Sequence, residues 1–360
     1  MSSRPPQRGA TATEIPYSQT YWERLSSLVH SADVLKSDGY KLEPLDPEAL
    51  RRMRRCRNCH LDAVADEEGS VADEPVKEDG VTLTVEEVSS PDEPNEKKKT
   101  EEEERKKKKK KYPCRFHPGA VVCKLYTCCA NRNPRAPGCT FAEHHVCEDY
   151  APGELEAQWM LHQTPQRKNR TPFPRKAVAL DCEMGTSARG ESELIRLTAV
   201  DYFTGETLVD SLVYPRVPMR HFNTRYSGVT RGMLEAARRS GTCLVGRDAA
   251  RERLWRFVGP ETIVVVHGGH SDFLALRWIH PRAVDTFLVE GVWREKQLKK
   301  KKSPEDKGQG GRSLKHLAEV RLGWKIQCGK NGHDSLEDAL ACRALVDWYV
   351  GDLERSSVHG

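Results

Sequence analysis

The stretch VALDCEMG, residues 178–185, indicates both a fold and a chemistry. Its apolar half is typical of a short buried strand. Residues two apart in a strand point to the same face, so Asp181 and Glu183 project together while Cys182 points to the other side. Two carboxylates so close repel each other unless a cation neutralises them, and Mg²⁺ or Mn²⁺ suits such hard oxygen ligands. The alternative interpretation is a strand end with two solvated acids.

Strands and helices follow this stretch along the chain. ELIRLTAVDY and ETLVDSLVYP predict a strand pair, and TIVVVH predicts another buried strand. SDFLALRWI predicts a helix with Ser271 as its N-cap, and RAVDTFLV predicts a strand that runs into a helix. SLKHLAEVRLG and SLEDALACRALVDWYVGDLE predict two further helices. The pattern is typical of an α/β protein with a mixed sheet covered by helices.

Changes in composition divide the 360 residues into predicted regions. Apolar positions in residues 17–37 have helical spacing, which predicts a helix with one apolar face. Residues 64–111 are rich in Glu, Asp and Lys, a composition typical of a disordered linker. The regions are an N-terminal helical segment (1–55), a Cys/His-rich zinc module that the linker interrupts (56–150), a connector (151–175), and an α/β domain (176–352) with a mobile basic insertion (291–311).

Bulk properties exclude some classes and suggest a charged partner. No apolar run reaches the ~18 residues of a membrane span, and MSSRPPQRGATATE lacks the apolar core of a secretory signal, so we expect a reducing compartment. The net charge of +5 hides two basic runs, Arg105–Lys111 and Lys299–Lys302. Such runs are solvated surface or attract nucleic-acid phosphates. The first is also typical of a nuclear-import signal, so we expect the nucleus, with the cytoplasm as a second compartment.

Later in the chain, Asp272, His333 and Asp338 have side chains that suit the same metal site, yet each has a simpler explanation. Asp272 lies at a predicted helix start, where an acid favours the helix dipole. Ser335 and Asp338 match a capping box, and His333 fits a loop histidine. Taken one at a time, these residues do not predict a site.

In combination, however, the segments resemble a known family. VALDCEMG, the H-x4-D pair His267 and Asp272, then VDT, SLKHLA, IQ and GHDSLEDA are similar, in this order, to the DEDDh family of 3′-to-5′ exonucleases. LDCEMG, GHDS-x-x-DA and TRYSGVT (residues 224–230) are most similar to its branch of eukaryotic RNA exonucleases, of the fungal type. The resemblance covers about residues 175–350.

The resemblance implies a ribonuclease H-like fold and a two-metal hydrolysis that releases nucleoside 5′-monophosphates. By motif position, Asp181, Glu183, Asp272 and Asp338 would be the ligands of two Mg²⁺ or Mn²⁺ ions. His333, five residues before Asp338, would be the general base that takes the proton from water. Single-stranded RNA 3′ ends would be the substrate, and we expect a monomer.

The second motif departs from the family's usual GH-x-L-x-x-D. Val266 stands in place of the glycine, Gly269 stands in place of the leucine, and an additional histidine, His270, lies near the site. Because Asp272 is kept, we expect activity with an altered surface under the terminal base, and we expect His270 to be an exposed loop residue. Two other hypotheses stay open: a non-catalytic RNA- or protein-binding scaffold, and a DNA exonuclease of the same fold.

Cysteines and histidines cluster upstream of the α/β region. Eight of the twelve cysteines lie between Cys56 and Cys147, and in a reducing compartment such clusters favour structural zinc. The sequence does not choose between His144 and His145, and it favours free thiols at Cys123 and Cys147. The candidates would fill one or two tetrahedral zinc sites: Cys56, Cys59, Cys114, His117, Cys128, Cys129, Cys139 and His144.

The order C-x2-HPG, CC and GC-x4-H resembles the CHORD-type zinc module, and similar segments precede exonuclease domains in some fungal-type relatives. The family spaces its first cysteine pair differently, and here 54 residues separate Cys59 from Cys114. Whether Cys56 and Cys59 join the same module is therefore open. We expect the module to bind RNA or a protein partner and to take no part in catalysis.

Overall fold

The protein has two compact units. The smaller unit is formed by residues 51–149, and the larger unit by residues 1–50 together with 150–360. The predicted linker at 64–111 lies outside the described part of the chain. The computed structural model describes residues 13–60, 114–122, 125–133, 136–166, 174–300, 311–329 and 332–358.

The smaller unit consists of short strands around cysteine and histidine side chains. Strand β1 pairs antiparallel with β4, and β2 pairs antiparallel with β3: β1 is Cys114–Phe116, β2 is Val121–Val122, β3 is Leu125–Tyr126 and β4 is Thr140–Ala142. Among the residues described there, the fully buried apolar side chains are Cys56 and Cys114. A hydrophobic core of this size does not hold such a unit together without a further link.

A seven-stranded mixed sheet forms the centre of the larger unit, in the order β10-β8-β7-β6-β11-β13 with β9 paired to β6. Strands β6, β7 and β8 are antiparallel, whereas β10, β11 and β13 run parallel to their neighbours. The strands, including the separate pair β5 and β12, are β5 His162–Gln163, β6 Ala177–Ser187, β7 Ser192–Asp201, β8 Thr207–Tyr214, β9 Met219–His221, β10 Leu244–Val245, β11 Ile263–Val266, β12 Trp278–Ile279 and β13 Ala283–Asp285.

Helices flank this sheet, which confirms the predicted α/β class with a mixed sheet. Alternate residues of β6 pack into two different cores: Val178 and Leu180 belong to one, Ala177 and Ala179 to the other. The helices are α1 Gln19–Ser27, α2 Ala32–Ser37, α3 Pro47–Arg51, α4 Glu154–Trp159, α5 Thr224–Ser227, α6 Arg231–Ser240, α7 Gly246–Leu254, α8 His270–Ala275, α9 Thr286–Lys300, α10 Leu314–Leu317, continued by a π-helical turn at Ala318–Leu322, and α11 Ser335–Val358.

The N-terminal segment packs on the α/β core. The backbone amide of Ile15 donates to the Phe203 carbonyl (2.8 Å), and that of His30 donates to the Ala283 carbonyl (3.0 Å). The single helix predicted over residues 17–37 is instead two helices, α1 and α2, in which Leu25 and Leu35 are buried. The hydroxyl of Ser31 accepts a backbone N–H at 3.4 Å and so begins a second helix.

Two predicted details differ in the structure. Helix α8 begins at His270 after Gly269, so Ser271 is not its N-cap, and the exposed His270 is a helix residue rather than a loop residue. Residues 291–300, predicted as part of a mobile insertion, continue α9, where Arg294 pairs with Glu290 one turn earlier (2.6 Å). Residues 301–310 lie outside the described residues.

Candidate active site and metal centres

Strand β6 carries the first two carboxylates at one edge of a core. Ala177 and Ala179 face the core formed with α11, and side chains alternate along a strand. Asp181 and Glu183 continue on that face, where Glu183 is buried and Asp181 partly buried. A register shift follows Glu183, so the regular pairing of β6 with β7 is interrupted at the site.

Asp272 reaches the same point of β6 from helix α8. Its side chain is buried, and burial raises the pKa of its carboxyl group, an effect that the nearby backbone amide of Cys182 partly offsets. That amide lies between Asp181 and Glu183, so the third carboxylate lies next to the first two. The simple helix-dipole interpretation does not account for this inward orientation.

Asp338 approaches from α11, and the capping-box interpretation is wrong. Asp334 caps the helix by accepting a backbone N–H of the first turn (3.2 Å), while the Ser335 hydroxyl lies 2.6 Å from that of Thr198. One oxygen of Asp338 accepts a hydrogen bond from the Gln327 side-chain amide (3.0 Å). The other oxygen is buried and has no hydrogen-bond partner among the described residues. A cation would satisfy that oxygen.

His333 lies beside Asp338 in the loop before α11. Its Nδ1 is 3.8 Å from an Asp338 oxygen, and 42% of its side chain is exposed, so water can reach the ring. Its backbone amide donates to the Tyr226 carbonyl (2.5 Å), which ties this loop to helix α5, the TRYS part of the TRYSG segment (residues 224–228). Burial and the nearby Lys315 charge lower the pKa of His333. The imidazole is therefore neutral, and able to accept a proton, near neutral pH.

The carboxylates share one poorly solvated environment. Burial raises the pKa of Glu183 to about 8, with repulsion from Asp338 as the next cause. Burial likewise raises the pKa of Asp338 to about 7. The pKa of Asp181 is raised well above its usual range by burial and then by repulsion from Asp272, Asp338 and Glu183. The repulsion indicates that the three other carboxyl groups lie near Asp181, although no three of the four have oxygens that all lie within 4.8 Å of one another.

Among the residues that the structure describes, protein cations do not balance this charge. Arg196 lowers the pKa of both Asp181 and Glu183, but its guanidinium also pairs with Asp210 (2.7 Å) and Asp334 (3.1 Å). The donor set consists of carboxylate oxygens, one of them without a protein partner among the described residues. Such a set fits hard divalent cations of the Mg²⁺ and Mn²⁺ type.

Asp285 and Gln327 are site residues to which the sequence analysis gave no role. Asp285, in the VDT segment, is fully buried and accepts backbone hydrogen bonds from Gly268 (2.8 Å), Gly269 (3.1 Å) and Phe287 (2.9 Å). It therefore shapes the loop before Asp272. Their position inside family-like segments was the one available signal, because their partners come from distant parts of the chain.

The smaller unit brings two groups of potential zinc ligands together. In the first group, the ligand atoms of Cys56, Cys59, Cys114 and His145 lie within 4.8 Å of one another. The Cys56 and Cys114 sulfurs are 3.6 Å apart, and the Cys59 sulfur is 3.3 Å from Nδ1 of His145. Ligands of a tetrahedral zinc ion are about 3.3–3.8 Å apart, given bonds of about 2.0–2.3 Å. His144 is not part of this group.

The second group consists of His117, Cys128, Cys129 and Cys139, again within 4.8 Å. The Cys128 and Cys129 sulfurs are 3.5 Å and 3.4 Å from Nδ1 of His117, and the Cys139 and Cys128 sulfurs are 3.5 Å apart. These separations exceed a disulfide bond of about 2.05 Å and match a tetrahedral edge. Both groups could bind zinc, and Cys56 and Cys59 join Cys114 across the long insertion.

Thiolate character supports this interpretation of the first group. Burial alone would raise the pKa of Cys56, but backbone amides of Cys59 and Asn58 donate to its sulfur and bring the pKa to about 6. By contrast, burial and the neighbouring cysteines raise the pKa of Cys114 to about 12. A bound cation would favour the deprotonated form of both thiols.

Part of the charged sequence lies outside the described residues. The basic run Arg105–Lys111 lies outside the described residues, and so do residues 301–302 of the second run. Within the described residues, no helix has the length and apolar character needed to cross a membrane.

Known proteins resemble this chain in sequence, although no family model matches it. RNA exonuclease 3 of Candida albicans is 32% identical over 240 residues, which are 66% of this chain and 54% of that protein. Apoptosis-enhancing nuclease of Homo sapiens is 37% identical over 178 residues, 48% of this chain and 50% of that protein. Both relatives are nucleases by name. The chain spans about half the length of these two relatives.

Solved structures resemble the chain only distantly. The Neurospora crassa Pan2 catalytic unit (protease and nuclease domain) has a TM-score of 0.41 and 20% identity, over 60% of this chain and 35% of that one. The Saccharomyces cerevisiae PAN2 pseudoubiquitin-hydrolase-RNase module has a TM-score of 0.41 and 26% identity, over 52% of this chain and 30% of that one.

Proposed function

We propose that the protein is a 3′-to-5′ exoribonuclease of the DEDDh type that releases nucleoside 5′-monophosphates in RNA processing or turnover. The observation that carries the proposal is the proximity of four carboxyl groups from β6, α8 and α11, three of which raise the pKa of the fourth, Asp181, in addition to burial, with His333 3.8 Å from Asp338. RNA as the substrate is supported by the names of relatives, which include RNA exonuclease 3 of Candida albicans and of Emericella nidulans.

Four carboxylates would hold two Mg²⁺ or Mn²⁺ ions: those of Asp181, Glu183, Asp272 and Asp338. Two such ions, when bound, would align the attacking and leaving oxygens and neutralise the charge that builds up on phosphorus. The protein residues orient and deprotonate the attacking water. His333 accepts the proton, and its lowered pKa keeps the ring neutral for that task. Lys315 contributes to the lowered pKa and is held in place by donating to the Gln327 carbonyl (3.0 Å).

The smaller unit would contribute binding rather than catalysis. Two zinc ions, each held by three cysteines and one histidine, would replace the hydrophobic core that its described residues lack. A CHORD-like unit of this kind would bind RNA or a protein partner. We further propose a nuclear location, which rests on the basic run Arg105–Lys111 alone.

Labelled substrates test the activity and its polarity. Single-stranded RNA and DNA carrying a 5′ label are incubated with the protein and Mg²⁺, with and without EDTA. The proposal predicts a descending ladder on RNA, its loss in EDTA, and its loss in a folded Asp181→Ala variant. Glu261→Ala removes an acid whose side chain is 86% exposed and should leave the ladder unchanged. A ladder from DNA alone would indicate a DNA exonuclease, and binding of RNA without cleavage would indicate a scaffold.

Turnover tests the role of His333 separately. His333→Ala should lower kcat by about 10²–10⁴-fold, the usual contribution of general base catalysis, while Mn²⁺ still binds. Unchanged turnover would exclude the assignment.

A further inference from the structure

Gly269 stands where the resembled family has leucine, and the side chain of Tyr40 from the N-terminal segment lies next to it. A Cβ atom at position 269 would lie 2.5 Å from Cγ2 of Val266 and 3.0 Å from the hydroxyl oxygen of Tyr40. Gly269 and Val266 stand where the resembled family has leucine and glycine, so the space is filled in a different way. Here Tyr40 occupies the space next to the second motif.

Tyr40 is firmly placed. It is 2% exposed, its hydroxyl donates to an oxygen of Asp285 (2.6 Å), and its ring packs edge-on against Phe273 with centroids 5.3 Å apart. Phe273 directly follows Asp272 in the chain. Tyr40 therefore touches both sides of the turn that delivers the third carboxylate.

Asp285 relays this contact to the loop. Its two oxygens accept backbone hydrogen bonds from Gly268, Gly269 and Phe287 in addition to the Tyr40 hydroxyl. Gly268 has a φ of +62°, a conformation that favours glycine, so the loop bends sharply just before α8. A change in the orientation of Asp285 would move these amides and, with them, the start of the helix that carries Asp272.

The segment that carries Tyr40 is itself anchored to the core. Leu35 is fully buried, and the backbone amide of Tyr40 donates to its carbonyl (3.0 Å). The His30 amide donates to the Ala283 carbonyl (3.0 Å), and the His30 ring lies 3.2 Å from the Asp285 carbonyl oxygen. Residues 30–40 are thus anchored to β13 by two contacts of His30, in addition to the contact of Tyr40 with Asp285.

We propose that Tyr40 is a positioning residue for the metal site. Its hydroxyl orients Asp285, Asp285 fixes the loop at Gly268 and Gly269, and this loop sets the position of Asp272 at the start of α8. The catalytic part of this inference rests on the proposed function, whereas the metal-binding part does not. The N-terminal segment is then a structural part of the active site.

Tyr40→Phe keeps the ring and removes the hydroxyl. The Mn²⁺ dissociation constant, and the Mg²⁺ concentration for half-maximal cleavage of RNA, should each rise about tenfold, the size usual for residues that orient metal ligands. KM for RNA should not change, because Tyr40 is buried. Tyr17→Phe is the matched control: Tyr17 lies in the same segment, is 46% exposed, and should leave both quantities as in the wild type.

Gly269→Ala tests the same contact from the other side. The added methyl group crowds Val266 and Tyr40 and should also weaken Mn²⁺ binding, whereas Gly232→Ala in α6, whose Cβ would meet only a hydroxyl at 3.9 Å, should not. Wild-type Mn²⁺ affinity in both Tyr40→Phe and Gly269→Ala would overturn the proposal. If the wild type binds Mn²⁺ but cleaves nothing, weaker binding in the variants still supports the positioning role while the proposed function fails.

Discussion

The Asp338 side chain shows how a functional residue can oppose stability. It is buried, one oxygen accepts a hydrogen bond from Gln327, and the other has no partner among the described residues. Burial raises its pKa to about 7, which means that the folded protein disfavours the ionised form. An ionised carboxylate in this position is useful only when a cation is bound beside it.

Replacement by a neutral isostere should therefore stabilise the metal-free protein. Because the folded-state pKa is raised, the folded chain binds more protons than the unfolded chain between about pH 4 and pH 7, and Asp338 lowers stability as the pH rises through that range. In EDTA at pH 7.5, Asp338→Asn should raise Tm by about 2–4 °C for each kcal/mol of relieved penalty, and the difference should vanish near pH 4.

Calorimetry with Mg²⁺ supplies the second half of this test. Mg²⁺ should raise the Tm of the wild type but not that of Asp338→Asn, since the variant lacks a ligand. Glu261→Gln, at an exposed acid, should behave as the wild type in both conditions. A lower Tm for Asp338→Asn in EDTA would contradict the account.

Sequence reasoning works at the residue scale where local geometry decides the outcome. The two-residue spacing of Asp181 and Glu183 is enough to place both on one face of a strand. The same reasoning cannot choose between a cap and a ligand for Asp338, because Asp334 competes for the capping position one turn earlier. Nor can it assign Asp285, whose partner Tyr40 lies 245 residues away.

At the scale of elements, the loop before α11 and the TRYSG segment (residues 224–228) fix each other's position through backbone contacts. The His333 amide donates to the Tyr226 carbonyl, and a Cβ at Gly332 would overlap the backbone nitrogen of Gly228. Gly332 also has a φ of +88°. Close backbone contact between the two segments therefore fixes the backbone position of His333.

Gly332→Ala should displace His333 and lower kcat, with Mn²⁺ affinity kept because the carboxylates are on other elements. The matched control is Gly323→Ala, which has a similar φ of +68° but nothing within 4 Å of the added Cβ. Both variants carry the strain of a positive φ, of the order of 1 kcal/mol, but only Gly332→Ala should lose turnover. Equal kcat in the two variants would show that the contact does not position the base.

Elements were predictable where hydrophobic periodicity was strong, as in β6, β7 and β11. Their ends were not, because capping is decided by single hydrogen bonds: Ser31 begins a helix and Ser271 does not. Residues 291–300 looked too polar for an ordered element. They continue α9, in which Trp293 packs against Trp348 and the Arg321 guanidinium lies over its ring.

At the scale of the whole molecule, the two units are stabilised by different means. The larger unit buries an extensive apolar core on both faces of its sheet, whereas the described part of the smaller one buries two cysteines. Zinc would supply the missing stability, since metal binding and folding are coupled in such small units. The sequence revealed this contrast through its cysteine distribution, but it did not reveal that residues 13–50 belong to the larger unit.

Adjacent histidines allow a sharp test of the zinc sites. The purified protein should contain about two zinc ions per chain, one for each group of four ligands. His145→Ala should lose one of them, and His144→Ala should keep both, because only His145 lies with Cys56, Cys59 and Cys114. Metal analysis of the purified variants measures this directly. Loss of zinc from His144→Ala alone would contradict the arrangement of the first group.

The most direct measurement counts the ions held by the carboxylates. Zinc-loaded protein is titrated with Mn²⁺, and bound Mn²⁺ is measured by electron paramagnetic resonance in the wild type and in Asp272→Asn. The account predicts two Mn²⁺ ions per wild-type chain and weaker or incomplete binding in the variant. A wild-type chain that binds no Mn²⁺, or a variant that binds it equally well, would contradict it.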